Sequence, residues 1–158
     1  MIRFLYYFRV FKTRYPIVSQ ATRCTFCKIT QLMTDAPPEY MSQCISSLLE
    51  GLTDYTTDER GDVGSWIRMS CVLALSKLVQ ILFSHSNSLQ NFVEYLPPEK
   101  YHAAIGGILK QGVERLDHVR QQAGKQFVEL LHLPLPDMDG KERWEIFGTE
   151  IMNDLFPR

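Results

Sequence analysis

Side chains that could do chemistry are few in this sequence, and they are scattered. Cys24 and Cys27 form a single C-x-x-C, in the run CTFC. A structural zinc site needs four ligands, commonly a second cysteine pair or two closely spaced histidines. No second pair is present, and His85, His102, His118 and His132 show no H-x3–5-H spacing. A thioredoxin-type redox site would sit in a βαβ unit, and the flanking residues do not have that pattern. Accidental or core cysteines are the better reading, with Cys44 and Cys71 on apolar helical stripes as small core residues. The run GDVGS (61–65) has two glycines but no phosphate-binding lysine. Asp58, Glu59 and Asp62 could be imagined around a cation, but the bidentate glutamate of a calcium loop is missing. No nucleophile–base–acid set and no H-E-x-x-H occurs. The expectation is therefore no catalytic residue, no metal ligand and no cofactor. An enzyme built on Cys24 and Cys27 stands as the rival of a different class.

Recognition is the chemistry that the residues do support. The polar stretch TDYTTDERG (53–61) presents Tyr55 with Asp58, Glu59 and Arg60, an aromatic among charges, which is a reasonable composition for a partner-binding anchor. Just beyond it, Asp62 and Arg68 stand at the head of an apolar helix. An arginine within a packed helix must be paired, because an unpaired buried charge is prohibitive. Arg68 therefore reads as structural rather than catalytic.

The elements that must position these residues are helices. Residues 37–52 place Tyr40, Met41, Cys44, Ile45, Leu48, Leu49 and Leu52 at helical spacing, with Pro38 suited to a first turn and Gly51 near a natural stop. Residues 62–83 predict a longer helix, capped by Asp62 or Ser65. Its apolar positions (Val63, Trp66, Ile67, Cys71, Ala74, Leu75, Leu78, Val79 and Leu82) cover much of the circumference, so it packs on more than one side. SHSNS (84–88) breaks the pattern, and a short apolar segment runs from Leu89 to Leu96.

Then the design recurs. Pro-Pro-Glu restarts at 97, and at a shift of 60 Met41, Cys44, Ile45, Leu48 and Leu49 fall on Tyr101, Ala104, Ile105, Ile108 and Leu109. The following helix recurs at a shift of 52, placing Asp62, Ile67, Arg68, Cys71, Leu75, Leu78 and Val79 on Glu114, Val119, Arg120, Ala123, Phe127, Leu130 and Leu131. The connection inside the first pair is thus eight residues longer than in the second, and TDYTTDERG is an insertion. Tandem helical hairpins signal an α-solenoid, in which such insertions map to one face, often the binding face. The expected fold is all-α, a HEAT/armadillo-like solenoid of stacked antiparallel helix pairs. After Leu133, PLPDMDGK is loop, and residues 142–156 are expected to form one amphipathic helix through Trp144, Phe147, Ile151 and Leu155, with Gly148 weakening it.

The net charge of -1 conceals an asymmetry. Residues 1–30 carry six basic residues (Arg3, Arg9, Lys12, Arg14, Arg23, Lys28) and no acid, so residues 31–158 carry 11 basic against 18 acidic. An acidic body argues against a broad nucleic-acid surface. The basic head lacks the uninterrupted apolar stretch and cleavage site of a secretory signal, and it is too aromatic for a mitochondrial presequence. It is read as an atypical basic N-terminal segment, 1–27, expected to be poorly ordered. No run approaches the roughly 18 apolar residues of a membrane span, so no membrane partner is expected.

DVGSWIRMSCVLAL (62–75) resembles the second helix of a HEAT repeat. That resemblance implies an Asp–Arg ladder between successive repeats, carried here by Asp62 and Arg68 and by Arg120 with Glu114 or Asp117. Glu114 and Gln126 depart from its pattern. LTDYTTDERGDVGSWIR (52–68), ERLDHVRQQAGKQFVELLHLPLP (114–136) and LFPR (155–158) further resemble the C-terminal half of the tubulin-folding cofactor D family, over roughly residues 28–158. Members of that family are far longer solenoids, so this chain is expected to be a fragment, a partial helical repeat domain. The resemblance implies a non-enzymatic chaperone scaffold that binds β-tubulin. With other tubulin-folding cofactors and an ARF-like small GTPase, it would assemble the αβ-tubulin heterodimer and stimulate GTP hydrolysis on the partner. The location implied is cytoplasmic, with microtubule association. A generic HEAT-repeat adaptor is the alternative.

Overall fold

A computed structural model describes residues 37–155. The basic head, Cys24 and Cys27 lie outside the described residues. Helix α1 spans Pro38–Gly51 and buries Met41, Ile45 and Leu48. A two-stranded hairpin follows, β1 (Thr57–Asp58) and β2 (Gly61–Asp62). Helix α2 (Gly64–Ser84) comes next, then the single-turn α3 (Phe92–Tyr95), α4 (Pro98–Gln111) and α5 (Asp117–Leu131). The described chain ends with a 3₁₀ helix, Lys141–Trp144, and the short α6, Thr149–Leu155. The fold is all-α, with only that hairpin as sheet among the described residues.

The repeat seen in the sequence is a repeat in space. α1 pairs with α2 and α4 with α5, while α1 packs on α4 and α2 packs most extensively on α5. Prolines at the first turns of α1 and α4 lose no intrahelical bond, because the first N–H groups of a helix have no partner in any case. α2 is the central helix. Its buried residues include Cys71, Val72, Leu75, Leu78, Val79 and Leu82, and burying each aliphatic one contributes about 1.5–3 kcal/mol. By length and composition α2 could cross a membrane. The sequence expectation of no such run reflects Arg68 and Lys77, which interrupt its apolar residues. In this fold α1, α4 and α5 occupy its sides.

Polar bonds tie the pairs together. Lys100 Nζ on α4 donates to Ser42 O and Ser46 Oγ on α1, both at 2.8 Å. Between α2 and α5, Lys77 meets Glu129 at 3.3 Å, and Gln80 donates to the same carboxylate at 3.1 Å. Burial alone would raise the Glu129 pKa, but the bonds from Gln80 and Lys77 hold it below its usual value. α1 ends at Gly51, as expected, and the glycine also serves packing. A Cβ there would stand 2.5 Å from Cys71 Sγ, so the glycine lets α1 and α2 approach.

The C-terminal helix departs from expectation. Gly148 takes a left-handed φ of 75° and divides the predicted 142–156 helix into the 3₁₀ turn and α6. Trp144 is fully buried, its Nε1 donating to Leu96 O at 3.0 Å and its ring 5.2 Å from Phe92. Phe147, Ile151 and Leu155, expected on the same apolar face, are exposed.

Candidate functional site

The inserted loop is built rather than slack. Asp54 Oδ1 accepts the Thr56 N–H at 3.0 Å, and Thr56 O accepts the Gly64 N–H at 2.9 Å, closing the loop onto the start of α2. Gly64 is required here. A Cβ would lie 2.2 Å from Asp54 O, which no side chain permits. The hairpin pairs Thr57 with Asp62 and Asp58 with Gly61, leaving Glu59 and Arg60 as the turn. Neither turn residue has positive φ, and Gly61 alone supplies the left-handed angle, 102°. Asp58 organises the turn: Oδ1 accepts the Arg60 N–H at 2.8 Å, and Oδ2 takes the Arg60 guanidinium at 2.5 Å. The same guanidinium lies 5.7 Å from the Trp66 ring, a cation–π distance. Trp66 was expected on the core side of its helix; instead it is 40% exposed.

Beneath the turn is a buried polar node centred on Arg68, whose side chain is 0% exposed. Asp62 Oδ2 accepts from Nη2 at 2.8 Å, Asp54 O from Nη1 at 2.7 Å and Gln111 Oε1 from Nε at 3.0 Å. Gln111 Nε2 returns a bond to Leu52 O at 3.1 Å, so this amide joins the second helix pair to the end of the first. Asp62 also caps α2: its Oδ1 accepts the Ser65 N–H at 3.0 Å, and Ser65 Oγ donates to Asp62 O at 2.6 Å. Val63 already has helical angles, so the cap falls on Asp62, one residue before it. The Arg68 guanidinium holds the Asp62 carboxyl below the usual carboxylate range. Burial disfavours the Arg68 charge, but the bond to Asp62 together with the nearby charges of Asp62 and Glu114 outweighs it, raising the guanidinium further.

Tyr55 closes the node from above. Its ring lies 4.1 Å from the Arg68 guanidinium carbon, and its hydroxyl donates to Glu114 Oε1 at 2.5 Å. The bond to Glu114 raises the pKa of the phenol above its ordinary value. The loop is therefore clasped to the turn between α4 and α5. Of the residues singled out for partner contact, Tyr55 faces inward with its hydroxyl and leaves its ring half exposed. Asp58 and Arg60 satisfy each other, and Glu59 projects at the tip. Asp58 and Asp62 turn to different arginines, so the imagined carboxylate cluster does not assemble. Gln111 and Trp66 went unrecognised in the sequence. A glutamine inside an apolar helical stripe was the available signal for the first.

The second pair repeats part of this geometry. Arg120 donates to Asp117 and, through Nη1, to Glu114 O at 2.9 Å, but its side chain is 47% exposed. Both arginine–carboxylate pairs lie within their own repeat, whereas the ladder implied by resemblance would run between repeats. Of the bonds made by these two arginines, the one that crosses between repeats is Arg68 to Gln111. Of the cysteines, Cys71 is buried and its thiol is pushed up to about 12 by desolvation, which makes it a packing residue; burial also raises Cys44.

Residues 102–158 match the family described as tubulin folding cofactor D C terminal. Over that segment the chain is similar to the tubulin folding cofactor D family. It is also similar to "Tubulin-folding cofactor D" of Schizosaccharomyces pombe, 30% identical over 82 residues, which is 52% of this chain and 7% of that protein. The chain thus matches a small part of its curated relative's length. No solved structure matches it. The family segment holds Gln111, Glu114, Asp117 and Arg120, while the inserted loop precedes it.

Proposed function

We propose that this chain is a non-enzymatic helical-repeat scaffold of tubulin folding. It binds β-tubulin in the cytoplasm and supports assembly of the αβ-tubulin heterodimer, with its partner's GTP hydrolysis stimulated and with other folding cofactors and an ARF-like small GTPase as further partners. The match of residues 102–158 to the cofactor D family supports the tubulin assignment. The observation that carries a binding role is the clasped insertion: eight residues that packing does not require, held rigid by Gly64, Asp58 and Tyr55, with Glu59, Trp66 and the Tyr55 ring outward. A surface fixed before the encounter loses less conformational entropy on binding.

The test is direct association of the 158-residue chain with chaperonin-released β-tubulin, native αβ-tubulin and an ARF-like GTPase in its two nucleotide states. Saturable binding of β-tubulin supports the reading. Binding of none of them leaves the chain a helical-repeat adaptor for other proteins and ends the tubulin assignment for this chain.

A further inference from the structure

Four tyrosines lie among the described residues, and one of them stands apart. Tyr40, Tyr95 and Tyr101 belong to α1, α3 and α4, so an enzyme that needs its substrate extended would first have to unwind a helix. Tyr101 is in addition only 2% exposed. Tyr55 lies in the inserted loop, outside any helix or strand, and is 45% exposed. The stretch from Gly51 to Glu59 holds Asp54, Asp58 and Glu59 and no basic residue. A cleft lined with lysine and arginine attracts such a segment.

The Tyr55 hydroxyl also carries the bond that clasps the loop to the turn between α4 and α5. It donates to Glu114 Oε1 at 2.5 Å, across 59 positions of sequence. An ionised carboxylate accepts and does not donate, so the contact exists only while the phenol keeps its proton. The ring lies 4.1 Å from the Arg68 guanidinium carbon. The donors around the phenol already have acceptors. Arg68 serves Asp62, Asp54 O and Gln111, and the Gln111 amide, which lies near the phenol, serves Leu52 O. On the neighbouring turn, Arg120 serves Asp117 and Glu114 O.

We propose that Tyr55 is a phosphorylation site for a tyrosine kinase, and that the phosphate opens the clasp between the inserted loop and the second helix pair. In the transfer, the Tyr55 oxygen attacks the γ-phosphorus of ATP. An O–P bond to Tyr55 forms, the bond from the γ-phosphorus to ADP breaks, and the phenol proton passes to the kinase's base. The product has no proton to give Glu114 and sets about two negative charges against its carboxylate, an arrangement that disrupts by like-charge repulsion. The loop then leaves the α4–α5 turn, and the Arg68 node beneath it meets water. As regulation of the binding surface this rests on the scaffold reading. The modification and the opening do not, and both are read without tubulin.

The test uses the 158-residue chain, ATP and the catalytic domain of a tyrosine kinase chosen because it phosphorylates a free peptide of residues 48–62. Phosphate should map to Tyr55 in the folded chain, at a rate within about tenfold of the peptide, and not to Tyr101. A chain synthesised with phosphotyrosine at position 55 isolates the second step. Its amides over residues 54–62 should exchange about tenfold faster than in the unmodified chain, while those of α2 and α4 keep their protection. Glu114→Gln supplies an amide that can donate to phosphoryl oxygens, so the phosphorylated variant should keep its loop protection. A folded chain that stays unlabelled at Tyr55 while the peptide is labelled overturns the site. Unchanged protection of residues 54–62 after phosphorylation overturns the switch. Equal loss of protection in Glu114→Gln overturns it too, because repulsion from Glu114 would not be the cause.

Discussion

Arg68 Nε donates to Gln111 Oε1 across 3.0 Å, the buried side-chain bond that joins one helix pair to the next. Three acceptors from three segments meet on one guanidinium, and none of them is adjacent to it in sequence. Stacking register and loop position therefore depend on the same residue.

Replacing Arg68 by Ala should destabilise the chain by about 3–5 kcal/mol, because a buried ion pair is broken and its acceptors stay behind. The denaturant midpoint should fall by a corresponding amount. A midpoint equal to wild type would show that Asp62 and Gln111 find replacement partners in water. Gln111→Ala should cost about 1–3 kcal/mol, leaving Arg68 Nε and Leu52 O unmatched.

Acid should act on the same node. Arg68 holds the native Asp62 pKa below its unfolded value. The group's contribution to stability is thus complete above the ordinary aspartate pKa and is lost as pH falls through the lower native value. Wild type minus Asp62→Asn stability, measured by urea unfolding at a series of pH values, should be constant from neutrality to about pH 5 and shrink below pH 4. A difference that grows on acidification would contradict this assignment.

Gly64→Ala sets two effects against each other. Alanine favours the helix by up to about 1 kcal/mol, while its Cβ would collide with Asp54 O at 2.2 Å. Backbone on backbone cannot yield cheaply, and forced overpacking costs about 1–3 kcal/mol. Net destabilisation is expected, with loss of amide protection confined first to residues 54–62. Uniform protection and a raised midpoint would mean that the loop lies elsewhere in solution.

The helices were legible because hairpin periodicity is local: Pro38, Pro98 and the stripes between them fix where α1 and α4 begin and which sides they bury. That Arg68 must be paired was legible from its place in an apolar helix; Asp62 was pointed to by the resemblance to a HEAT repeat, which implied a ladder between repeats where the structure has a pair within one. Gln111 was not, since the sequence shows only a polar residue among apolar ones and the bond spans 43 positions. Trp66 misled because helical spacing counts an aromatic as core, whereas the folded loop above it supplies Arg60 as a polar cover. The terminal helix failed at Gly148, where a positive φ overrode an otherwise amphipathic pattern.

The loop's two roles can be separated by substitution. Tyr55→Phe keeps the ring on Arg68 and removes only the hydroxyl bond to Glu114, so it should cost about 0.5–1.5 kcal/mol and leave partner binding intact. Glu59→Ala with Trp66→Ala touches none of the bonds that close the loop. Thermal stability should therefore be nearly unchanged while β-tubulin capture falls, since exposed aromatics on rigid supports are the positions where truncation costs most in an interface. Arg60→Ala is the intermediate case. It removes the ion pair with Asp58 and uncovers Trp66, and because the pair is exposed the fold should hardly respond. Capture unaffected in all three variants, with stability also unaffected, removes the loop from the binding surface. Capture lost only in Tyr55→Phe, together with stability, makes the insertion a clasp between repeats and nothing more.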